Sequence, residues 1–386
     1  MRHNPRSRLG AAALAAGLLL AGGGTAAAEP CPEPGQWLDP ERGERLEMDQ
    51  VLDALAETDF ILLGEQHDRP DHHRWQLHTL AALHGRGELA AVGLEMLPRG
   101  KQPVLEAWRA GELDREAFLA KSEWQRVWGH DAELYTPLLE FARIQRVPVR
   151  ALNVERDAVR TVRREGWAAL DAEQRKGIGR PAEASEAYRE RLQETLAAHP
   201  GVSADGDGDA LAGFIAAQTF WDRAMAEALA AAHERHGGPV VAIVGRGHVA
   251  HGHGIPHQLA DLGYEAVQVL LPVDADEACP DPGTADYLFT LAPQEATAAS
   301  EPPRLGIAMA VEDEGQVVIQ EVFEDTPAAA AGLEAGDRLV EAAGQAVARP
   351  AAMQRIVARQ PPGTWLPLTV ERDGERMDLV ARFPAE

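Results

Sequence analysis

Between Val51 and Val273, short apolar runs alternate with longer stretches of helical periodicity. The apolar runs predict strands at 60–63, 91–94, 147–152, 240–244 and 266–270, and the amphipathic stretches predict helices at 71–83, 137–146, 185–198 and 209–236. Strands that are apolar throughout are buried on both faces. Alternating with helices, they argue for an α/β fold, a mainly parallel sheet covered by helices. Residues 281–303 are rich in Pro, Ala, Thr and Glu and read as a linker with a brief ordered piece at 287–291. Beyond them the texture changes to short β runs at 305–310, 317–322, 338–342 and 366–372, with one helix at 350–359, which predicts a second, small β-rich domain. The division expected is a leader at 1–28, an α/β domain at 29–280, the linker at 281–303 and the β-rich domain at 304–386.

The leader is set apart by Arg2, Arg6 and Arg8, an apolar stretch from Leu9 to Ala21, and the small residues Ala26, Ala27 and Ala28. That is the pattern of a cleaved secretory signal peptide, and its apolar core is shorter than the roughly 20 residues a spanning helix needs. Pro30 directly before Cys31 argues against a lipid attachment site there. In an oxidising compartment the chain's two cysteines, Cys31 and Cys279, are expected to form a disulfide that staples the start of the exported chain to the end of its first domain. A formal charge of −24 makes the phosphate backbone of nucleic acid an unfavourable partner and favours solubility. The stretch from Ala204 to Ala210 alternates Asp and Gly like half of a calcium loop. It lacks the glutamate such a loop needs and reads as a solvated turn.

Candidate chemistry collects where strands end. After the run Ile61, Leu62, Leu63 comes Gly64, then Glu65, Gln66, His67, and shortly Asp71, His72 and His73. Similar endings occur at Gly93, Leu94, Glu95, Met96; at Ala151, Leu152, Asn153; and at Gly245, Arg246, Gly247, His248, with His251 and His253 following. In a parallel sheet these ends share one rim, so Glu65, His67, Glu95, Asn153 and His248 can converge although distant in sequence. Carboxylates and histidines together suit metal binding or acid–base work. His72 and His73 are either ligands or residues of a helix start near Asp71, itself a reasonable N-cap.

From Arg304 to Phe383 the chain resembles PDZ domains of the bacterial envelope-protease type. The resemblance rests on Leu305, Gly306, Ile307, then Val317 to Val322, then the stretch from Thr326 through Gly332, Gly336 and Asp337 to Val340. It implies that Leu305, Gly306 and Ile307 offer backbone amides to a peptide carboxyl terminus, with the peptide added as a strand. No Gly-x-Ser-x-Gly protease signature accompanies it.

From about Val51 to Leu270 the motifs resemble ChaN-like haem-binding proteins, within the Tiki/TraB superfamily that also includes erythromycin-esterase-like enzymes. Besides the strand-end motifs, the resemblance takes in Tyr135 to Leu138, Pro148 to Arg156, Ala217 to Ala226 and Gly254 to Pro256. It implies haem binding and a role in haem or iron uptake, with Glu65, His67, Glu95 and His248 lining the shared site. His67, His72, His73, Tyr135, Asn153 and His248 are then the candidates for contact with haem, whose iron accepts a histidine nitrogen or tyrosine oxygen. Haem held within one chain and haem held between two copies of a homodimer both remain open. In a second reading, taken from the Tiki/TraB relatives, Glu65 activates water beside a divalent metal held by His67 and His248, as in metal-dependent hydrolysis. A third makes the PDZ domain the working end of an envelope adaptor.

Overall fold

A computed structural model describes residues 31–197, 208–293, 303–312, 316–347, 349–358 and 360–385. The leader, the Asp and Gly turn at 204–207 and the linker at 294–302 lie outside the described residues. The chain divides into two compact units, Met1–Pro293 and Gln294–Glu386.

In chain order the first unit comprises β1 (Trp37–Asp39), β2 (Glu44–Leu46), α1 (Met48–Leu55), β3 (Phe60–Glu65), α2 (Pro70–Arg86), β4 (Ala91–Pro98), α3 (Gln102–Ala110), α4 (Arg115–Ser122), α5 (Trp124–Val127), α6 (Ala132–Ile144) and β5 (Val149–Asn153). It continues with α7 (Arg156–Glu165), α8 (Ala172–Arg175), α9 (Glu186–Ala197), α10 (Gly208–His236), β6 (Val240–Gly245), α11 (Ile255–Asp261), β7 (Val267–Asp274) and β8 (Tyr287–Leu291). The sheet runs β2-β1-β8-β7-β3-β6-β4-β5. The six strands from β8 to β5 pair in parallel, and β1 and β2 are added antiparallel at one edge.

Alternation within the apolar runs explains the layers. Ile61 and Leu63 face one side, packing with Trp75, Leu80 and Leu83 of α2 and Leu138 and Leu139 of α6. Phe60 and Leu62 face the other, packing with Met225 and Leu229 of α10 and Ile255 and Leu259 of α11. All four strand residues are fully buried, each burial favouring the folded state by about 1.5–3 kcal/mol relative to exposure. With both faces covered, polar groups at mid-strand are excluded, and chemistry is confined to the rim.

Three expectations need correction. Residues 287–291, assigned to the linker, form β8, which joins the first unit's sheet between β7 and β1. Trp37 fastens this edge by packing against Trp75 and Phe289. The helix expected from Pro137 begins at Ala132, where Asp131 accepts from the Glu133 amide at 3.0 Å; Pro137 is carried inside it at the loss of one backbone bond. The N-cap of α2 is Arg69 rather than Asp71, because Pro70 fits the first helical position and needs no hydrogen bond there. Cys31 and Cys279 are joined as a disulfide. No helix among the described residues is long and apolar enough to cross a membrane.

The second unit comprises β9 (Ile307–Val311), β10 (Val317–Val322), α12 (Pro327–Ala330), β11 (Arg338–Ala342), β12 (Gln345–Ala346), α13 (Pro350–Ala358), β13 (Trp365–Arg372) and β14 (Glu375–Arg382). Its antiparallel order is β14-β13-β11-β10-β9, with β12 paired to β11. Gly306 has a φ of 87°, and a β-carbon there would meet the Thr326 side chain at 2.2 Å, so this position requires glycine. Asp337, fully buried, accepts from the Glu334 amide at 2.9 Å and from Arg372 Nε at 2.6 Å. That pairing ties the Gly-Asp turn to β13.

Candidate functional site

Glu65 ends β3 in register with Gly245, the last residue of β6. Its side chain is wholly buried: Oε1 accepts from His67 Nδ1 at 2.8 Å and from the Tyr135 hydroxyl at 3.0 Å, while Oε2 lies 2.7 Å from His73 Nδ1. Burial pushes this carboxyl up, but the hydrogen bonds from His67 and His73 outweigh burial and hold it down at about 2. Glu65 is therefore a fixed interior anion surrounded by donors.

The histidines sort by depth. His72 is buried, its Nδ1 accepts from the Gln66 amide at 3.0 Å, and burial pushes it down to about 4. His73 is equally buried, and its Nε2 lies 3.3 Å from the His67 carbonyl oxygen. These two residues secure the turn that carries Glu65 and His67. Arg69 fastens the same turn from outside, with forked contacts to Asp71 at 2.7 Å and Asp274 at 2.9 Å. Tyr135 is also interior, 1% exposed, its hydroxyl near both Glu65 and the His67 carbonyl. Burial, reinforced by the Glu65 charge, raises its pKa well above that of an ordinary phenol. Tyr135 is thus a donor committed to Glu65, and His72, His73 and Tyr135 stand behind the surface of the site rather than on it.

His67 is different. Half-buried, it packs its ring edge-on against Trp128 with centroids 4.7 Å apart, and lies 5.0 Å from the ring of His130. Nδ1 is held by Glu65, leaving Nε2 without a partner among the described residues. Gly245 makes room for it: a β-carbon there would stand 2.8 Å from His67 Cε1 and 3.6 Å from Glu95 Oε2. Burial pulls the His67 pKa down, and Glu65 and Glu95 together carry it above the ordinary value.

On the other side of Gly245, Glu95 accepts from the Gly245 amide at 2.6 Å and lies 3.5 Å from His248 Nε2. His248 Nδ1 is 2.6 Å from Asp222 Oδ1 and 3.1 Å from Gln218 Nε2, and Asp222 Oδ2 accepts from the Tyr188 hydroxyl at 2.8 Å. Burial would lower His248, but the Glu95 and Asp222 carboxylates overcome it and push it up to about 10. Asn153 bridges Glu95 O at 2.9 Å and the Val154 amide at 2.7 Å, and accepts from Trp221 Nε1. Trp221, half-buried, stands edge-on to His248.

The strand ends thus bring together Glu65, His67, Glu95, Asn153 and His248. Sequence reasoning missed Asp222, Gln218, Tyr188 and His130, which come from α10, α9 and the segment before α6. No group of three or more His, Cys, Asp or Glu among the described residues is disposed to hold a metal ion.

Residues 51–259 match the family described as haem-binding uptake, Tiki superfamily, ChaN. The chain belongs to that family. Residues 303–381 match the PDZ domain. Among solved structures, the chain is similar to ChaN of Campylobacter jejuni, described as showing cofacial haem binding. The identity is 19%, with 66% of this chain and 95% of that chain covered at a TM-score of 0.54, a likeness of fold. A serine endoprotease from Yersinia pestis is 26% identical over 21% of this chain and 28% of its own, with a TM-score of 0.19. No curated protein matches the chain in sequence.

Proposed function

We propose that this ChaN family member is an exported haem-binding protein that serves haem or iron uptake, with a PDZ module that captures peptide carboxyl termini. The observation that carries the haem reading is the unpartnered Nε2 of His67 on the rim, with the half-buried ring of Trp128 against His67 and that of Trp221 against His248. An imidazole whose other nitrogen is fixed by a carboxylate is oriented and made more basic for iron, and aromatic walls cover an apolar macrocycle. The residues present therefore fit the group: His67 as the iron ligand, with Glu65 holding its tautomer. Bound haem supplies the redox-active iron, and the protein supplies ligation and shelter. Tyr135, committed to Glu65, supports the site without ligating. Export is supported by the disulfide and by the leader pattern.

Titrating the purified protein with haemin is expected to give a saturable, shifted Soret band at micromolar concentrations. His67→Ala should weaken it at least tenfold and move the band. Tyr135→Phe should leave the band in place while costing about 1 kcal/mol of stability, the net worth of one hydrogen bond. A Soret change with Tyr135→Phe and none with His67→Ala would transfer the ligand role to the tyrosine, and no saturable change in the wild type would refute haem binding.

For the PDZ module, support comes from β9, which has a strand neighbour on one side only, and from the Leu305, Gly306, Ile307 loop at its start. A peptide ending in a free apolar carboxyl terminus is expected to bind, and its amidated form to bind at least tenfold more weakly. Equal affinities measured by fluorescence polarisation would rule out carboxylate capture.

A further inference from the structure

Four histidines gathered around the rim commit Nδ1 to a partner: His67 and His73 to Glu65, His72 to the Gln66 amide and His248 to Asp222. His130 commits neither ring nitrogen to a described residue, although its ring is half-buried. An imidazole that gives up part of its water contact without gaining a hydrogen bond stands ready for another partner. The backbone that carries this ring is pinned. Trp124, itself buried, donates Nε1 to the His130 carbonyl at 2.9 Å, and its own carbonyl accepts from the Gly129 amide at 3.2 Å. On the other side Asp131 caps α6. The turn is therefore fixed while the ring it presents stays unclaimed. Gly129 and Asp131 are exposed, which puts His130 at the outer lip of the site, whereas His67 is wedged between Glu65 and Gly245.

One aromatic wall serves both rings. Centroid to centroid, Trp128 lies 4.7 Å from His67 and 5.2 Å from His130, and the two imidazoles are 5.0 Å apart. Flanking one iron from opposite faces of a macrocycle would need ring centres about 6 Å apart, given metal–nitrogen bonds of roughly 2 Å. At 5.0 Å they are alternatives for a single iron rather than a pair across it.

We propose that His130 is the entry ligand of the site: it takes the iron of arriving haem and passes it to His67, while the macrocycle stays against Trp128. The proposal rests on the haem reading. Neutral imidazole is a ready iron ligand, and a free one on a pinned surface turn meets haem without first breaking a contact. In the exchange the iron–nitrogen bond to His130 breaks as that to His67 Nε2 forms, the iron keeps its oxidation state, and any proton on Nε2 leaves to solvent. His67, oriented by Glu65 and made more basic by it, holds the iron at the end.

The test is stopped-flow mixing of the full chain with monomeric haemin in mild detergent. Wild type is expected to show a fast phase whose rate rises with haemin concentration, then a slower, concentration-independent shift of the Soret band. His130→Phe keeps an aromatic ring against Trp128 but no nitrogen; it should lose the slower phase and capture haemin at least tenfold more slowly, and His130→Ala should behave the same way. His67→Ala should stop after the fast phase, and His67→Ala/His130→Phe should give no saturable band. A single phase in wild type, or a double variant that binds as His67→Ala does, would overturn the entry role and leave haem binding standing. Fast capture restored by phenylalanine but not by alanine would make the ring a packing element and overturn it as well. Wild type without a saturable Soret change would overturn both readings.

Discussion

Replacing Glu65 with glutamine is expected to lower unfolding stability at pH 7 by about 3 kcal/mol and to remove much of the protein's sensitivity to acid. The folded-state carboxyl is held at about 2 against an ordinary value of 4.5, and each unit is worth about 1.4 kcal/mol. For a group whose pKa is depressed by folding, this contribution is fully present above 4.5 and is lost as pH falls toward 2. The His67 shift is the other side of the same interaction and adds nothing further. Glutamine keeps the volume but turns an N–H₂ toward the His67, His73 and Tyr135 donors, leaving some of them unsatisfied. Urea unfolding monitored on the first unit between pH 3 and 7 should show the wild type approaching the variant as pH drops. Parallel pH profiles would mean that Glu65 does not anchor the rim.

That central role was partly legible in the sequence. An apolar run that stops at a glycine followed by Glu and His signals a strand end, and four such endings foretold that Glu65, His67, Glu95, Asn153 and His248 share a rim. The depth of a side chain was not legible. His72, His73 and Tyr135 are the residue types that bind iron, yet helical spacing in α2 and α6 turns them inward, where they hydrogen-bond Glu65 or its turn. Nor could spacing reveal Asp222 and Gln218, because their meeting with His248 depends on how α10 packs on β6. Strands β1 and β2 escaped, and β8 was seen only as an ordered piece of a linker, for a related reason. Three to five residues carry too little periodicity, and tertiary packing of Trp37 with Phe289 supplies what local pattern lacks.

His248→Ala is expected to be the most damaging substitution on the rim, costing about 3–5 kcal/mol at pH 7, because it leaves the Asp222 and Glu95 carboxylates buried without their cation. The pH dependence distinguishes this from a simple cavity. In the wild type, folding raises His248 from 6.5 to about 10, so its contribution is complete below 6.5 and disappears as pH rises through 10. Burial acts on Asp222 in the opposite sense to its partner, pushing the carboxyl up, which offsets part of that gain at neutral pH. In the alanine variant the two carboxyls lose the opposing charge, so Asp222, already raised by burial, rises further and Glu95, which His248 helps to hold down, rises as well, and acid relieves them by protonation. The deficit relative to wild type should therefore be largest near pH 7, shrink toward pH 5 as the carboxyls become neutral, and shrink again toward pH 10 as the wild type loses its imidazolium. A cavity would cost the same at every pH. His248→Gln, which fills the space without the charge, should follow the alanine variant's pH profile at a smaller offset. A deficit independent of pH in both variants would show that His248 acts by packing, and that the carboxylate pair on this rim does not require a cation.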